Sequence, residues 1–171
     1  NSVFDAVITS PPYPNRYSYA RETRPQMFYL GFVQDGREVG ELETEAIGGT
    51  WGKATSVLDN HFDYRSIAVE EALRGIPERI GQHSHLMQNY VIKYFNDIEQ
   101  HIGSLKPFLR RGAQLAYVIG NSKFYKVVLP SDEILADIFE ANSFQITSIE
   151  RMRRRNSKHG LYEAIVFVEV Q

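Results

Sequence analysis

The sequence predicts an α/β fold in which two parallel strands are joined by a helical crossover. Two short apolar runs, residues 3–8 and 113–119, have the composition of strands buried on both faces of a parallel sheet. Between them, apolar residues recur at spacings of three and four from Leu86 to Leu109, which indicates a helix with one buried face. A crossover of this kind sets the carboxyl ends of both strands side by side, where ligands bind in open α/β sheets.

The first strand runs into a rigid, proline-rich segment, Thr9-Ser10-Pro11-Pro12-Tyr13. Each proline fixes its own φ and restricts the preceding residue to extended conformations. We therefore expect a stiff hook that presents the hydroxyl of Ser10, the carbonyl of Pro11 and the ring of Tyr13 at the end of the strand. The alternative is a proline-rich turn with no chemical role.

The residues between this hook and the crossover helix give weaker signals. Met27, Phe28, Leu30 and Phe32 are expected to be core residues of a short helix. Residues 33–80 are polar and poorly periodic apart from a short helix predicted at 67–73. Three glycines in the stretch 48–52 indicate unusual dihedral angles or a close approach, but the sequence does not show what Gly48-Gly49-Thr50-Trp51 does.

The second half of the chain continues the α/β pattern. The predicted helix closes at Pro107 and Gly112, and the second strand ends in the turn Gly120-Asn121-Ser122. A further helix begins at residues 130–133 with acidic residues in its first turn, and its buried face comprises Ile134, Leu135, Ile138 and Phe139. Residues 144–149 and 162–170 read as two further strands.

Length and composition fit a single domain. The 171 residues are 43% hydrophobic, carry a net charge of −2 and include no cysteine. They allow a sizeable core, exclude disulfides and thiolate metal sites, and permit a cytoplasmic location. No apolar run approaches the ~20 residues of a membrane span, so no membrane partner is expected. The histidines at 83, 85 and 101 follow no metal-ligand spacing, and no metal is expected.

The hook and the residues after it carry a family resemblance. Thr-Ser-Pro-Pro-Tyr after an apolar strand, followed by Pro14-Asn15-Arg16-Tyr17-Ser18-Tyr19 and by residues 21–25, resembles the catalytic motif of DNA methyltransferases that modify exocyclic amino groups. These are the cytosine-N4 and adenine-N6 enzymes, and serine at position 10 is more similar to the cytosine group. The resemblance implies a partial Rossmann-like methyltransferase fold with a C-terminal β-hairpin that includes an antiparallel strand. It also implies S-adenosylmethionine as cofactor and double-stranded DNA as partner, and it leaves open a restriction endonuclease as a second partner.

The chemistry of such a motif can be stated from the residues. An exocyclic amine is a poor nucleophile because its lone pair is delocalised into the ring. Two acceptors, Ser10 Oγ and the Pro11 carbonyl, would hold the amino hydrogens and localise the lone pair, so that positioning supplies much of the catalysis. Tyr13 can stack on a base extruded from the duplex. We therefore expect the catalytic residues to be Ser10, Pro11, Pro12 and Tyr13.

Two groups of basic residues are expected to contact DNA. Arg16, Arg21 and Arg24 are interspersed with aromatic residues, a combination suited to phosphates and bases, with surface ion pairing as the alternative. The second group lies between the last two predicted strands, where no compensating acid is near in sequence. It comprises Arg153, Arg154, Arg155 and Lys158, with a solvated charged hairpin as the alternative.

By the same resemblance, residues 1–171 are the catalytic half of a methyltransferase domain, and residues 33–80 are where target-recognition elements are inserted. The glycine-rich loop and the acidic residue with which the family binds S-adenosylmethionine are absent from the sequence. Together with the abrupt start at Asn1-Ser2, this predicts that the cofactor-binding half is missing or is supplied by a complementary chain, and that the fragment alone is inactive. Thr9, Ser10 and Asn121 are the candidate cofactor contacts, although a tight turn is the favoured explanation for Asn121.

Two other functions stay open. One is a nucleic-acid-binding module without catalysis that uses the basic hairpin. The other is an adenine-N6 or RNA amino-methyltransferase.

Overall fold

The fold is α/β and is built on a mixed four-stranded sheet. A computed structural model describes residues 3–49, 53–59, 63–154 and 160–171. The strands are β1 Phe4–Thr9, β2 Leu109–Gly120, β3 Ser122–Phe124, β4 Val127–Leu129, β5 Phe144–Arg154 and β6 Tyr162–Val170. The helices are α1 Tyr19–Glu22, α2 Arg24–Tyr29, α3 Gly36–Glu45, α4 Lys53–Leu58, α5 Ile67–Leu73, α6 Ile76–Gly81, α7 His85–Leu105 and α8 Ser131–Ala141, with a 3₁₀ turn at Lys106–Phe108.

The sheet has the order β1-β2-β6-β5. β1 and β2 are parallel, with Ala6 opposite Gln114 and Thr9 opposite Tyr117. β6 runs antiparallel to both of its neighbours, β2 and β5. The predicted parallel pair and the antiparallel C-terminal hairpin are both confirmed, and the fold is consistent with a partial Rossmann-like methyltransferase.

Helix α7 forms the centre of the core. Its predicted apolar stripe is buried from Met87 to Ile102 and packs in one cluster with the inward-facing side chains of β2 and β6. The predicted extension of this helix to Leu109 is wrong, because the α-helix ends at Leu105 and Leu109 already begins β2. Pro107 accounts for the early end, since proline has no N–H to donate and cannot continue a helix. In α8 the four side chains expected on its buried face are buried.

Strand β1 is more exposed than its apolar sequence predicts. Phe4 is 50% exposed and Ile8 is 85% exposed, so the expectation of a strand buried on both faces is wrong for this chain. The reason is position: among the described strands β1 pairs only with β2 and forms the rim of the sheet.

The polar region before α7 is largely helical, although its sequence has little periodicity. α5 lies at the predicted residues, whereas α3, α4 and α6 were not predicted. Asp35 caps the amino end of α3: its carboxylate accepts hydrogen bonds from the backbone N–H groups of Arg37 and Glu38, at 2.7 and 3.0 Å. α3 buries only Glu43 fully, so its sequence shows no apolar stripe.

The short helix α2 does not contribute the core residues expected of it. Phe28, Leu30 and Phe32 are 37%, 61% and 75% exposed, and Met27 is half-buried. The prediction of four core side chains is wrong here. α2 is only six residues long, so Leu30 and Phe32 lie beyond its end, and it has no fully buried residue. Of the helices in the described ranges, none has the length and apolar character needed to cross a membrane.

Candidate active site

The proline hook follows β1 directly and opens onto a cleft at the carboxyl end of the sheet. Ser10 is exposed, Tyr13 is half-buried, and both line the cleft, which has a volume of about 470 Å³. Pro11 is buried and Pro12 is half-buried behind them. The structure thus brings together the hydroxyl and the aromatic ring that the sequence predicts for one site.

Two tyrosines of α7 hold the hook from behind. The Tyr94 hydroxyl donates a hydrogen bond to the Pro12 carbonyl at 2.6 Å, and the Arg16 backbone N–H donates to the Tyr90 hydroxyl at 3.1 Å. Both tyrosines are fully buried. Burial raises the pKa of Tyr90 to about 12 and raises the pKa of Tyr94 well above its ordinary value, so both phenols stay protonated near neutral pH.

The glycine-rich loop packs against these tyrosines. Gly48 has φ +66°, and a Cβ atom there would lie 2.7 Å from Cδ2 of Tyr94. At Gly49 a Cβ atom would lie 1.7 Å from the carbonyl oxygen of Glu43. The close approach predicted for these two glycines is confirmed, while Thr50, Trp51 and Gly52 lie outside the described residues.

Aromatic side chains from the segment after the hook form another wall of the cleft. The rings of Tyr17 and Tyr19 meet edge to face with 4.9 Å between centroids, and both line the cleft. Between them Ser18 is buried and donates a hydrogen bond to Glu43 at 2.7 Å. Ser18 Oγ also accepts the backbone N–H of Arg21 at 3.0 Å, which caps α1.

Sequence reasoning missed one charged residue of the cleft. Glu163, the second residue of β6, lines the same cleft as Ser10 and Tyr13. Its carboxylate accepts a hydrogen bond from Nε of Arg153 at 2.6 Å, an interaction that raises the pKa of Arg153. The two residues face each other across β5 and β6. The position of the Glu163 carboxylate at the cleft could therefore have been predicted only by knowing how these two strands pair.

Comparisons with known proteins point to one class of enzyme. The chain is 25% identical over 175 aligned positions to the Type II methyltransferase M.BsoBI of Geobacillus stearothermophilus, an alignment that covers 91% of this chain and 34% of that protein. It is 26% identical over 166 positions to the Type II methyltransferase M.AvaI of a Nostoc strain and to M.AvaI of Anabaena variabilis, with coverage of 85% of this chain and 32% of each relative. The chain is therefore similar in sequence to type II methyltransferases over part of their length.

The similarity to these methyltransferases covers only part of their length. The chain spans about a third of the curated relatives it matches. No family model matches the chain, and no solved structure matches it.

The first group of basic residues follows the hook along the chain. Arg16 follows the hook with φ +61° and is half-buried. Arg21 and Arg24 are exposed and line a second cavity of about 250 Å³ between α1, α2 and α3. The guanidinium of Arg24 also lies over the ring of Phe28, 5.6 Å from its centroid.

The second basic group has acidic partners that the sequence did not reveal. Within the group, Arg153 pairs with Glu163. Arg151, two residues before the group on β5, contacts Glu133 at 2.9 Å and the fully buried Asp132 at 3.4 Å. The absence of a compensating acid nearby in sequence does not hold in space, because acids from α8 and β6 pack against these arginines. Arg154 is exposed, whereas Arg155 and Lys158 lie outside the described residues.

The described residues do not fit as a complete pocket for S-adenosylmethionine. No glycine-rich loop follows β1 or β2, and the Asn121 side chain is 1% exposed. Its amide donates to the Gly160 carbonyl at 3.1 Å and accepts the Tyr162 N–H at 2.8 Å, which fixes the start of β6. Thr9 is half-buried and Ser10 is exposed at the cleft. Within the described ranges no cluster of three or more acidic or histidine side chains is arranged to hold a metal.

Proposed function

We propose that this chain is the catalytic part of a DNA methyltransferase that modifies the exocyclic amino group of a base extruded from double-stranded DNA. The observation that carries the proposal is the cleft at the end of β1, which Ser10 and Tyr13 line together with the tyrosines at 17 and 19. The sequence similarity to type II methyltransferases supports the same reaction class.

In this proposal the hook makes the amino nitrogen nucleophilic. Ser10 Oγ accepts one amino hydrogen and the Pro11 carbonyl accepts the other, which draws the nitrogen towards tetrahedral geometry and localises its lone pair. Tyr13 stacks on the extruded base and holds its plane, so the contribution of the chain is mainly positioning.

The favoured target is cytosine N4. The support is Ser10 itself, since serine at this position is more similar to the cytosine-N4 group than to the adenine-N6 group. Cytosine and adenine present the same exocyclic amine to the hook, so the product must be identified by chemical analysis of the modified DNA.

S-adenosylmethionine supplies the methyl group in enzymes of this type. We propose that it is held mainly by a cofactor-binding half outside residues 1–171, because the described residues form no complete pocket for it. Residues 33–80 would then serve in target recognition, and the arginines at 16, 21 and 24 would contact the DNA backbone beside the cleft.

The test is methyl transfer by the full-length protein with double-stranded DNA and S-adenosylmethionine, followed by nucleoside analysis. We expect N4-methylcytosine from the wild type and at least a hundredfold lower rate for the double variant Ser10→Ala, Tyr13→Ala. A matched double variant, Ser104→Ala with Tyr125→Ala, removes the same two side-chain types at exposed positions away from the cleft and should retain the wild-type rate.

Two outcomes would contradict the proposal. One is an unchanged rate in the Ser10, Tyr13 double variant. The other is steeply salt-dependent DNA binding by the wild type without methyl transfer, which would favour a nucleic-acid-binding module without catalysis. Methylated adenine as the product would move the target from cytosine to adenine.

A further inference from the structure

The proline hook has few soft dihedral angles, and this determines what can set its shape. Proline locks φ at positions 11, 12 and 14, and each residue that precedes a proline has a restricted ψ. Ser10, Pro11 and Tyr13 are all followed by proline. The least restricted angles between Ser10 and Pro14 are therefore ψ of Pro12 and φ of Tyr13. Together these two angles set the direction in which the Tyr13 side chain leaves the backbone.

The Pro12 angle is held by a buried side chain. Rotation about ψ of Pro12 swings its carbonyl oxygen, and that oxygen accepts the hydrogen bond from the Tyr94 hydroxyl at 2.6 Å. One helical turn earlier on α7, Tyr90 accepts the backbone N–H of Arg16 at 3.1 Å. Arg16 has a left-handed backbone, φ +61°, a conformation that is unfavourable for a residue with a side chain. The two phenols thus fix the hook on both sides of Tyr13.

The rings of both tyrosines are fully buried and closely packed. Tyr94 packs edge to face on Phe95 with 4.9 Å between centroids, and the Gly48 backbone leaves no space for a methyl group against it. Tyr90 meets the edge of Phe124 at 5.8 Å. A rigid support of this kind is what a site requires when catalysis depends on placing groups to within a fraction of an ångström.

We infer that Tyr94 and Tyr90 are positioning residues for the reaction: they set the angle at which Tyr13 and the hook meet the target base. This inference rests on the proposed methyltransferase function. Neither tyrosine is among the residues that line the cleft, so their effect is transmitted through the backbone of Pro12 and Arg16.

Tyrosine-to-phenylalanine variants test the inference in the full-length protein, because they keep the ring and remove only the hydroxyl. Tyr94→Phe should lower kcat for methyl transfer about tenfold or more, with the KM for DNA within twofold of wild type. The matched control is Tyr117→Phe. Tyr117 is equally buried and lies opposite Thr9 on the neighbouring strand, but its hydroxyl lies 2.8 Å from Nε2 of His101 and makes no hydrogen bond to the hook. This control should lose stability without losing kcat.

A second measurement does not depend on activity. In Tyr90→Phe the Arg16 amide loses its acceptor, so its hydrogen exchange should accelerate at least tenfold, while Tyr117→Phe leaves that amide unchanged. Equal kcat values for the Tyr94 and Tyr117 variants, or unchanged Arg16 exchange in Tyr90→Phe, would overturn the inference. Absence of methyl transfer by the wild type would instead contradict the proposed function, and the exchange measurement would still decide whether the tyrosines hold the hook.

Discussion

Replacement of Gly48 by alanine probes the packing behind the hook. The new residue would keep a left-handed backbone, φ +66°, which costs a residue with a Cβ about 1–2 kcal/mol. Its Cβ would also lie 2.7 Å from Cδ2 of Tyr94, a ring that is fully buried and cannot yield freely. Overpacking of this kind costs about 1–3 kcal/mol. The free energy of unfolding should therefore fall by about 2–5 kcal/mol.

Urea unfolding followed by circular dichroism measures this loss, with the midpoint falling and the slope unchanged. Gly31→Ala is the matched control, because Gly31 has φ +73° but no atom within 4 Å of its Cβ position. Gly31→Ala introduces only the cost of the left-handed backbone, so its free energy of unfolding should fall by about 1–2 kcal/mol. Equal losses for the two variants would refute the argument that the Gly48 backbone is pressed against Tyr94.

Two further predictions concern ionisable groups. Burial lowers the pKa of His101 below its ordinary value of 6.5, so the unfolded chain binds a proton that the folded chain excludes. Stability should fall as the pH drops through about 6.5, and His101→Gln should flatten this dependence in urea titrations at pH 5.5 and 7.5. Arg151→Ala should cost about 1–2 kcal/mol because it leaves Asp132 buried with one partner fewer, whereas Arg110→Ala, which breaks an exposed pair, should cost at most about 0.5 kcal/mol. Equal losses in thermal or urea unfolding would show that the burial of Asp132 has no such effect.

Long periodic segments and strand-ending signals made much of the fold predictable. β6 lies at the predicted residues 162–170 and α5 at 67–73, and the buried stripe of α7 follows its spacing. The hook was predictable because proline constrains the chain locally, whatever surrounds it.

The remaining features depend on tertiary contacts that sequence spacing does not encode. α3 was missed because a helix that fully buries only Glu43 has no apolar stripe to recognise. Phe28 and its neighbours were assigned to the core because hydrophobicity alone does not show whether another element covers a side chain. Tyr94 looked like an ordinary stripe residue, and only the structure shows that its hydroxyl reaches Pro12.

The parallel pairing of β1 with β2 also bears on the order in which the chain folds. Ala6 pairs with Gln114, so this contact closes a loop of roughly 100 residues, and closing such a loop is slow compared with local pairing. β2, α8, β5 and β6 follow one another between residues 109 and 170 and can associate earlier. We therefore expect β1 to dock after these elements, so that the proline hook acquires its final shape late in folding.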